Sequence, residues 1–140
     1  MTPERPNKTP IVRRLAIPSR LLFIVNYIKI YIILLRLIMD LELKASIVRE
    51  RVVKMLTEAG SGHPAGALGS ADFWVSLYFG NLLNVDPKNP WKKDRDRLIL
   101  SAGHYCPVLY AVLAEAGFFE IEKLDTLRKL GSLLQGHTIA

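Results

Sequence analysis

LILSAGHYCPVLYAVLAEAG, residues Leu98–Gly117, is the stretch that decides the fold class. Leu98–Leu100 is a short apolar run of the kind expected of a buried parallel strand. Ser101–His104 supplies a glycine turn. Val108, Leu109, Val112 and Leu113 then repeat at helical spacing as far as Gly117. Strand, glycine turn and helix in that order form the repeating unit of an α/β fold, where ligands gather at the carboxyl ends of the strands. The expectation is an α/β protein with a mostly parallel sheet, although only one strand is clear.

Upstream, Asp40–Ala59 reads as a helix. Ile47 or Val48, Val52, Met55, Leu56 and Ala59 follow helical spacing, and Arg49, Glu50, Arg51 and Lys54 take the other face. Ala59–Gly62 (AGSG) ends it, since glycine accepts left-handed cap geometry, and Gly66 and Gly69 extend a glycine-rich loop. Ser70 is placed to cap a second helix, Ala71–Leu83, built around Phe73, Trp74, Leu77, Tyr78 and Phe79. Asn84–Asp96 contains Pro87, Pro90 and alternating charges, and reads as a surface connection. Downstream, a short helix is expected near Glu120–Leu127.

The net charge of +6 on 140 residues suggests a polyanion-binding protein until it is divided along the chain. Residues 1–38 hold seven basic groups (Arg5, Lys8, Arg13, Arg14, Arg20, Lys29, Arg36) and one acid, Glu4; residues 39–140 hold twelve of each sign. The body is therefore neutral, which argues against nucleic acid as its partner. Met1–Arg20 is broken by Pro3, Pro6, Pro10 and Pro18. Leu21–Met39 is apolar and long enough to span a bilayer, but Asn26, Lys29 and Arg36 make its insertion marginal. Four readings of this leader stay open: a signal peptide, a transmembrane anchor, an organelle transit peptide, and translation started too far upstream. The last draws on MDLELKASIVRERVVKML, from Met39, which reads as a natural cytosolic N-terminus. The single cysteine, Cys106, rules out an internal disulfide and fits a reducing compartment.

Each of the three histidines follows a glycine: Gly62–His63, Gly103–His104 and Gly136–His137. A glycine turn can project the next side chain into a cleft while its amides approach an anion. Imidazole there can donate to phosphate or hydroxyl groups, or shuttle a proton near neutral pH. Plainer readings stand beside this one. His63, before Pro64, could be a turn residue; His104 could cap the helix that follows; His137 could be solvated. No HExxH, no His pair at i, i+4 and no cysteine pair occurs, so no metal site is expected. Cys106 reads as a small packed residue, and Trp74 as a core or subunit contact.

AGSGHPAGALGSAD (Ala59–Asp72), DPKNPWKKDRDRLILSAGH (Asp86–His104), LYAVLAEAGFF (Leu109–Phe119) and LRKLGSLLQGHT (Leu127–Thr138) resemble the start of transketolase, and most closely the N-terminal half-subunit of split transketolases. The resemblance covers about residues 40–138 and none of residues 1–38. It implies the leading portion of a three-layer thiamine-diphosphate-binding fold, residues 39–140, preceded by an apolar helical segment. It also implies carbohydrate metabolism in the pentose phosphate pathway, moving a two-carbon ketol unit between sugar phosphates. Carried over by motif, His63 is the residue that contacts substrate and assists proton transfer. His104 reaches the cofactor diphosphate, and His137 bonds the donor sugar.

Three positions depart from the family pattern: Ala102, where Lys or Asn is more usual, Ala65 in place of glycine, and Thr138 in place of proline. The chain also stops before the glycine-rich cofactor segment and the GDG…N motif that holds Mg²⁺ in the complete enzyme. The resemblance therefore implies a fragment inactive alone, completed by a C-terminal transketolase part in a homo- or hetero-oligomer, and cytoplasmic. The alternative is a non-catalytic binding or interaction domain, membrane-associated through residues 21–39.

Overall fold

The computed structural model describes residues 19–138, with side chains from residue 23 onward. The proline-broken stretch before residue 19 lies outside the described residues. Four α-helices are present: α1 (Ser19–Ala59), α2 (Pro64–Gly69), α3 (Ala71–Phe79) and α4 (Cys106–Glu115). Two 3₁₀ helices, Gly103–Tyr105 and Ile121–Thr126, flank α4 in sequence. Residues 1–35 and 36–140 are separate units.

In the first unit, the apolar side chains from Phe23 to Leu35 are exposed. The described part of the Leu21–Met39 stretch, residues 23–39, also carries Lys29 and Arg36. Among the described residues, no helix is long and apolar enough to cross a membrane.

The second unit is organised around α4, in which Cys106 to Val112 and Ala114 are all buried. Ala45, Val48, Val52 and Met55 form the stripe of α1 that joins this core, at the spacing that brings successive side chains to one helix face. Ala71, Trp74 and Val75 of α3, Ala67 of α2, and Leu124, Leu127 and Leu134 complete it. Removing each of the Val, Leu and Met side chains from water contributes about 1.5–3 kcal/mol. Glu115, at the end of α4, is gripped by Lys44 Nζ at 3.1 Å and Arg51 Nε at 3.0 Å, both from α1. Burial alone would raise the Glu115 carboxyl, but the hydrogen bonds from Arg51 and Lys44 outweigh it and hold the group below its ordinary value.

Several expectations change. Leu98–Leu100 forms no strand, and no strand occurs among the described residues, so the mostly parallel sheet and the three layers have no counterpart there. A strand requires a hydrogen-bonded neighbour, and none of these residues pairs with Leu98–Leu100. Ile99 is accordingly 90% exposed. The glycine-rich loop after His63 is instead α2. Finally, the Ser70 hydroxyl makes no cap for α3; it donates back to the Gly66 carbonyl at 2.7 Å. The helix expected over Ala71–Leu83 stops at Phe79, with Gly80 as its C-cap, and the short helix near Glu120–Leu127 is the 3₁₀ segment. Residues 84–96 do form an irregular connection, stitched by Asn84 N–H to Asp96 Oδ2 at 2.7 Å and Asn84 Nδ2 to the Asp94 carbonyl at 2.7 Å.

Candidate functional site

His63, His104 and His137 lie on three separate segments that meet beside the start of α4. His63 is the residue before α2, with extended backbone (φ −118°, ψ 92°), and Pro64 opens that helix. Proline suits this position because its missing N–H would have had no helical partner. Gly62 has φ 138°, which L side chains rarely adopt, and a side chain there would strike Leu56. Gly62 thus sets the direction in which the chain enters His63.

The other two glycines serve close approach, because neither has positive φ. A Cβ on Gly103 would stand 2.8 Å from His137 Cδ2, so the His137 ring rests on the backbone just before His104. A Cβ on Gly136 would stand 2.8 Å from Arg128 Nε and 3.0 Å from Arg128 Nη2. The glycine ahead of each histidine therefore has a separate steric cause.

The His63 and His104 rings meet edge to face, with centroids 5.9 Å apart and planes at 64°. Tyr105 packs edge-on to His104 at 4.7 Å and lies over Gly66, where no side chain would fit. His63, His104 and His137 are all exposed. No side chain caps the 3₁₀ turn at Gly103 or α4 after it, so His104 does not serve as a cap.

The backbone before His137 is held from below by α4. The Cys106 thiol donates to the Gly136 carbonyl at 3.0 Å, and the Tyr110 hydroxyl donates to the Gln135 carbonyl at 3.1 Å. Burial pushes the Cys106 thiol up to about 11 despite the positive charge of Arg128. Burial and the neighbouring Cys106 push Tyr110 up to about 12. Both groups therefore stay protonated as donors at neutral pH. Cys106 is the packed residue expected of it, with the added task of anchoring this loop.

Leu56, Gly62, His63, His104, Cys106, Arg128 and Gly136 line a cleft that encloses only about 10 Å³. That is no more than the roughly 10–15 Å³ that a single water needs, so a ligand would lie across the open side. A larger cavity, about 430 Å³, lies between Lys123, Thr126 and the Lys129–Leu134 segment and contains none of the histidines. Chemistry, not volume, identifies the site. Exposed imidazoles and a guanidinium are donors suited to phosphoryl oxygens and sugar hydroxyls, so these residues fit a diphosphate. They do not fit Mg²⁺, which takes oxygen ligands. Among the described residues no group of three or more His, Cys, Asp or Glu could hold a metal.

Sequence alone does not single out Arg128, Tyr105 or Tyr110. Arg128 stands in LRKLGS without a recognisable pattern of its own, and the two tyrosines read as ordinary helix residues.

Residues 42–139 match the family described as transketolase, thiamine diphosphate binding domain. The 6-deoxy-6-sulfo-D-fructose transketolase subunit SqwG of Clostridium sp. (strain MSTE9) is 43% identical over 98 residues, covering 70% of this chain and 35% of that protein. An apulose-4-phosphate transketolase subunit from Phocaeicola vulgatus is 38% identical over 97 residues, covering 69% and 34%. Human transketolase is 43% identical over 89 residues, covering 62% and 14%. The chain thus spans about a third or less of the length of these relatives. With residues 42–139, most of its length, matched to that domain, the chain belongs to the transketolase family.

Proposed function

We propose that residues 39–140 form part of a thiamine diphosphate site that transfers a two-carbon ketol unit between sugar phosphates, completed by a further transketolase segment. The observation that carries this reading is that His63 and His104 line one open cleft with Arg128 and Gly136, while the His137 ring rests on Gly103, beside His104. Thiamine diphosphate, when bound, supplies the electron sink that lets a ketose carbon–carbon bond be cleaved and remade.

The chain's own residues then bind and move protons. His104 donates to a diphosphate oxygen. His63 is placed to contact the sugar and exchange a proton with its hydroxyl. His137, resting on Gly103, hydrogen-bonds the donor sugar. The ligands of Mg²⁺ come from outside the described residues, and so does the segment that closes the cleft. Two of the similar proteins are named as subunits, which supports a partner polypeptide in a homo- or hetero-oligomer. The single unpaired thiol supports a cytoplasmic location.

Reconstitution tests this. The 140-residue chain, mixed with a polypeptide carrying the remaining transketolase segments, thiamine diphosphate and Mg²⁺, should transfer ketol units between sugar phosphates. Neither component should do so alone. His63→Ala should lower the reconstituted rate by about 10²–10⁴-fold, the usual contribution of a proton-transfer group. Full turnover by the His63→Ala mixture, or by the 140-residue chain without its partner, would overturn the reading.

A further inference from the structure

Arg128 has φ 63°. An arginine in the left-handed region is unfavourable, and such backbone persists where the surroundings hold it. Here they do. The Arg128 N–H donates to the Leu134 carbonyl at 2.8 Å, folding residues 128–134 into a closed loop. Beyond it the side chain crosses the cleft. Arg128 Nη1 donates to Ser61 Oγ at 3.0 Å, two residues before His63. The same guanidinium lies against Gly136, one residue before His137, in the space a Cβ would fill. Cys106 holds Gly136 through its carbonyl. Among the described residues no ion pair engages Arg128, so its geometry is set by these two loops and not by a carboxylate.

We infer that Arg128 is a positioning residue: its guanidinium ties the Ser61–His63 loop to the Gly136–His137 loop and so fixes the spacing of the two outer imidazoles. The planar fork is what the position requires, because it must rest on Gly136 while an edge N–H reaches Ser61. A lysine ammonium, a compact point charge, cannot do both. The inference rests on the reading of the histidines as ligand-facing groups, but it concerns their placement before any ligand arrives.

The test is therefore made without ligand, on the full 140-residue chain. Imidazole ¹H–¹³C spectra of the three histidines, assigned with single His→Gln variants, are compared for the native chain, Arg128→Ala, Arg128→Lys, Ser61→Ala and Ser61→Ala/Arg128→Ala. Arg128→Ala should move both the His63 and His137 signals by more than a line width, and Arg128→Lys should restore at most one of them. Ser61→Ala should move His137, on the opposite loop, only while Arg128 is present. A melting temperature that falls in Arg128→Ala with both signals unmoved would reduce the guanidinium to a surface brace and overturn the inference. Should Arg128→Ala not fold, Ser61→Ala decides alone, and an unmoved His137 signal contradicts the inference. Failure to bind thiamine diphosphate would count against the proposed function and leave this result standing.

Discussion

The His137 ring lies on the backbone of Gly103, with Cδ2 2.8 Å from the point where a Cβ would stand. This contact joins the second and third Gly-His pairs, although His137 lies thirty-three positions after His104. It makes Gly103 as specific to His137 as to the histidine that follows it. Gly103→Ala should displace the His137 ring while leaving α4 intact. The expected result is a shifted His137 imidazole signal and a loss of thiamine diphosphate affinity of about tenfold, equivalent to about 1.4 kcal/mol. An alanine variant with native spectra and native affinity would show that the contact does not matter.

Glu115 links α4 to α1 through Lys44 and Arg51. Its carboxyl is held below the ordinary value near 4.5, so the folded chain binds fewer protons than the unfolded chain as that range is entered. Stability from this group is fully present above the unfolded value and is lost as pH falls through the lowered folded value. Glu115→Gln should therefore destabilise the chain by about 1–3 kcal/mol at pH 7, the two cations remaining partly solvated. The difference should shrink as pH falls below the ordinary value near 4.5 in urea melts recorded across the acid range.

Cys106 should be nearly inert to alkylation. Only the thiolate reacts, and a thiol raised to about 11 by burial is almost wholly protonated at pH 8. Iodoacetamide should modify the folded chain about two orders of magnitude more slowly than the urea-unfolded chain, where the thiol returns to about 8.5. The raised value also means that stability contributed by the neutral thiol is fully present below the unfolded value in the alkaline direction of titration and changes as pH climbs towards 11. Because the folded thiol holds its proton where the unfolded thiol has lost it, that stability declines over this window. Equal rates for the two states, followed by mass spectrometry, would contradict the buried placement.

Met55 is fully buried on the α1 stripe that joins the core. Met55→Ala should cost about 2–5 kcal/mol, combining lost transfer energy with the cavity left behind. Val53→Ala, on the exposed side of the same helix, should change stability by less than about 0.5 kcal/mol. Similar denaturation midpoints for the two variants would place the core elsewhere.

Local periodicity made part of this fold legible. Val48, Val52 and Met55 are buried at the spacing read from sequence, and the run through Val108 and Val112 is α4. The Gly-His pattern drew attention to the three residues that converge. Other features depended on contacts distant in sequence. The loop after His63 became α2 although glycine in a helix costs about 1 kcal/mol relative to alanine. Gly66 stands there because the Tyr105 ring, brought from another segment, fills the place of its side chain. Leu98–Leu100 has the composition of a strand, but composition cannot supply a neighbouring strand. Arg128 acquires its place only when residues 61, 128 and 136 come together, and no local pattern encodes that meeting.

The cleft bearing His63 and His104, with His137 against Gly103 beside it, should take a diphosphate, and phosphorus NMR of thiamine diphosphate titrated with the full chain is the decisive measurement. Both phosphorus signals should shift saturably with the native chain, and His104→Ala should weaken this binding by about tenfold or more. Signals unmoved by the native chain, or moved equally by His104→Ala, would show that these histidines do not form a diphosphate site.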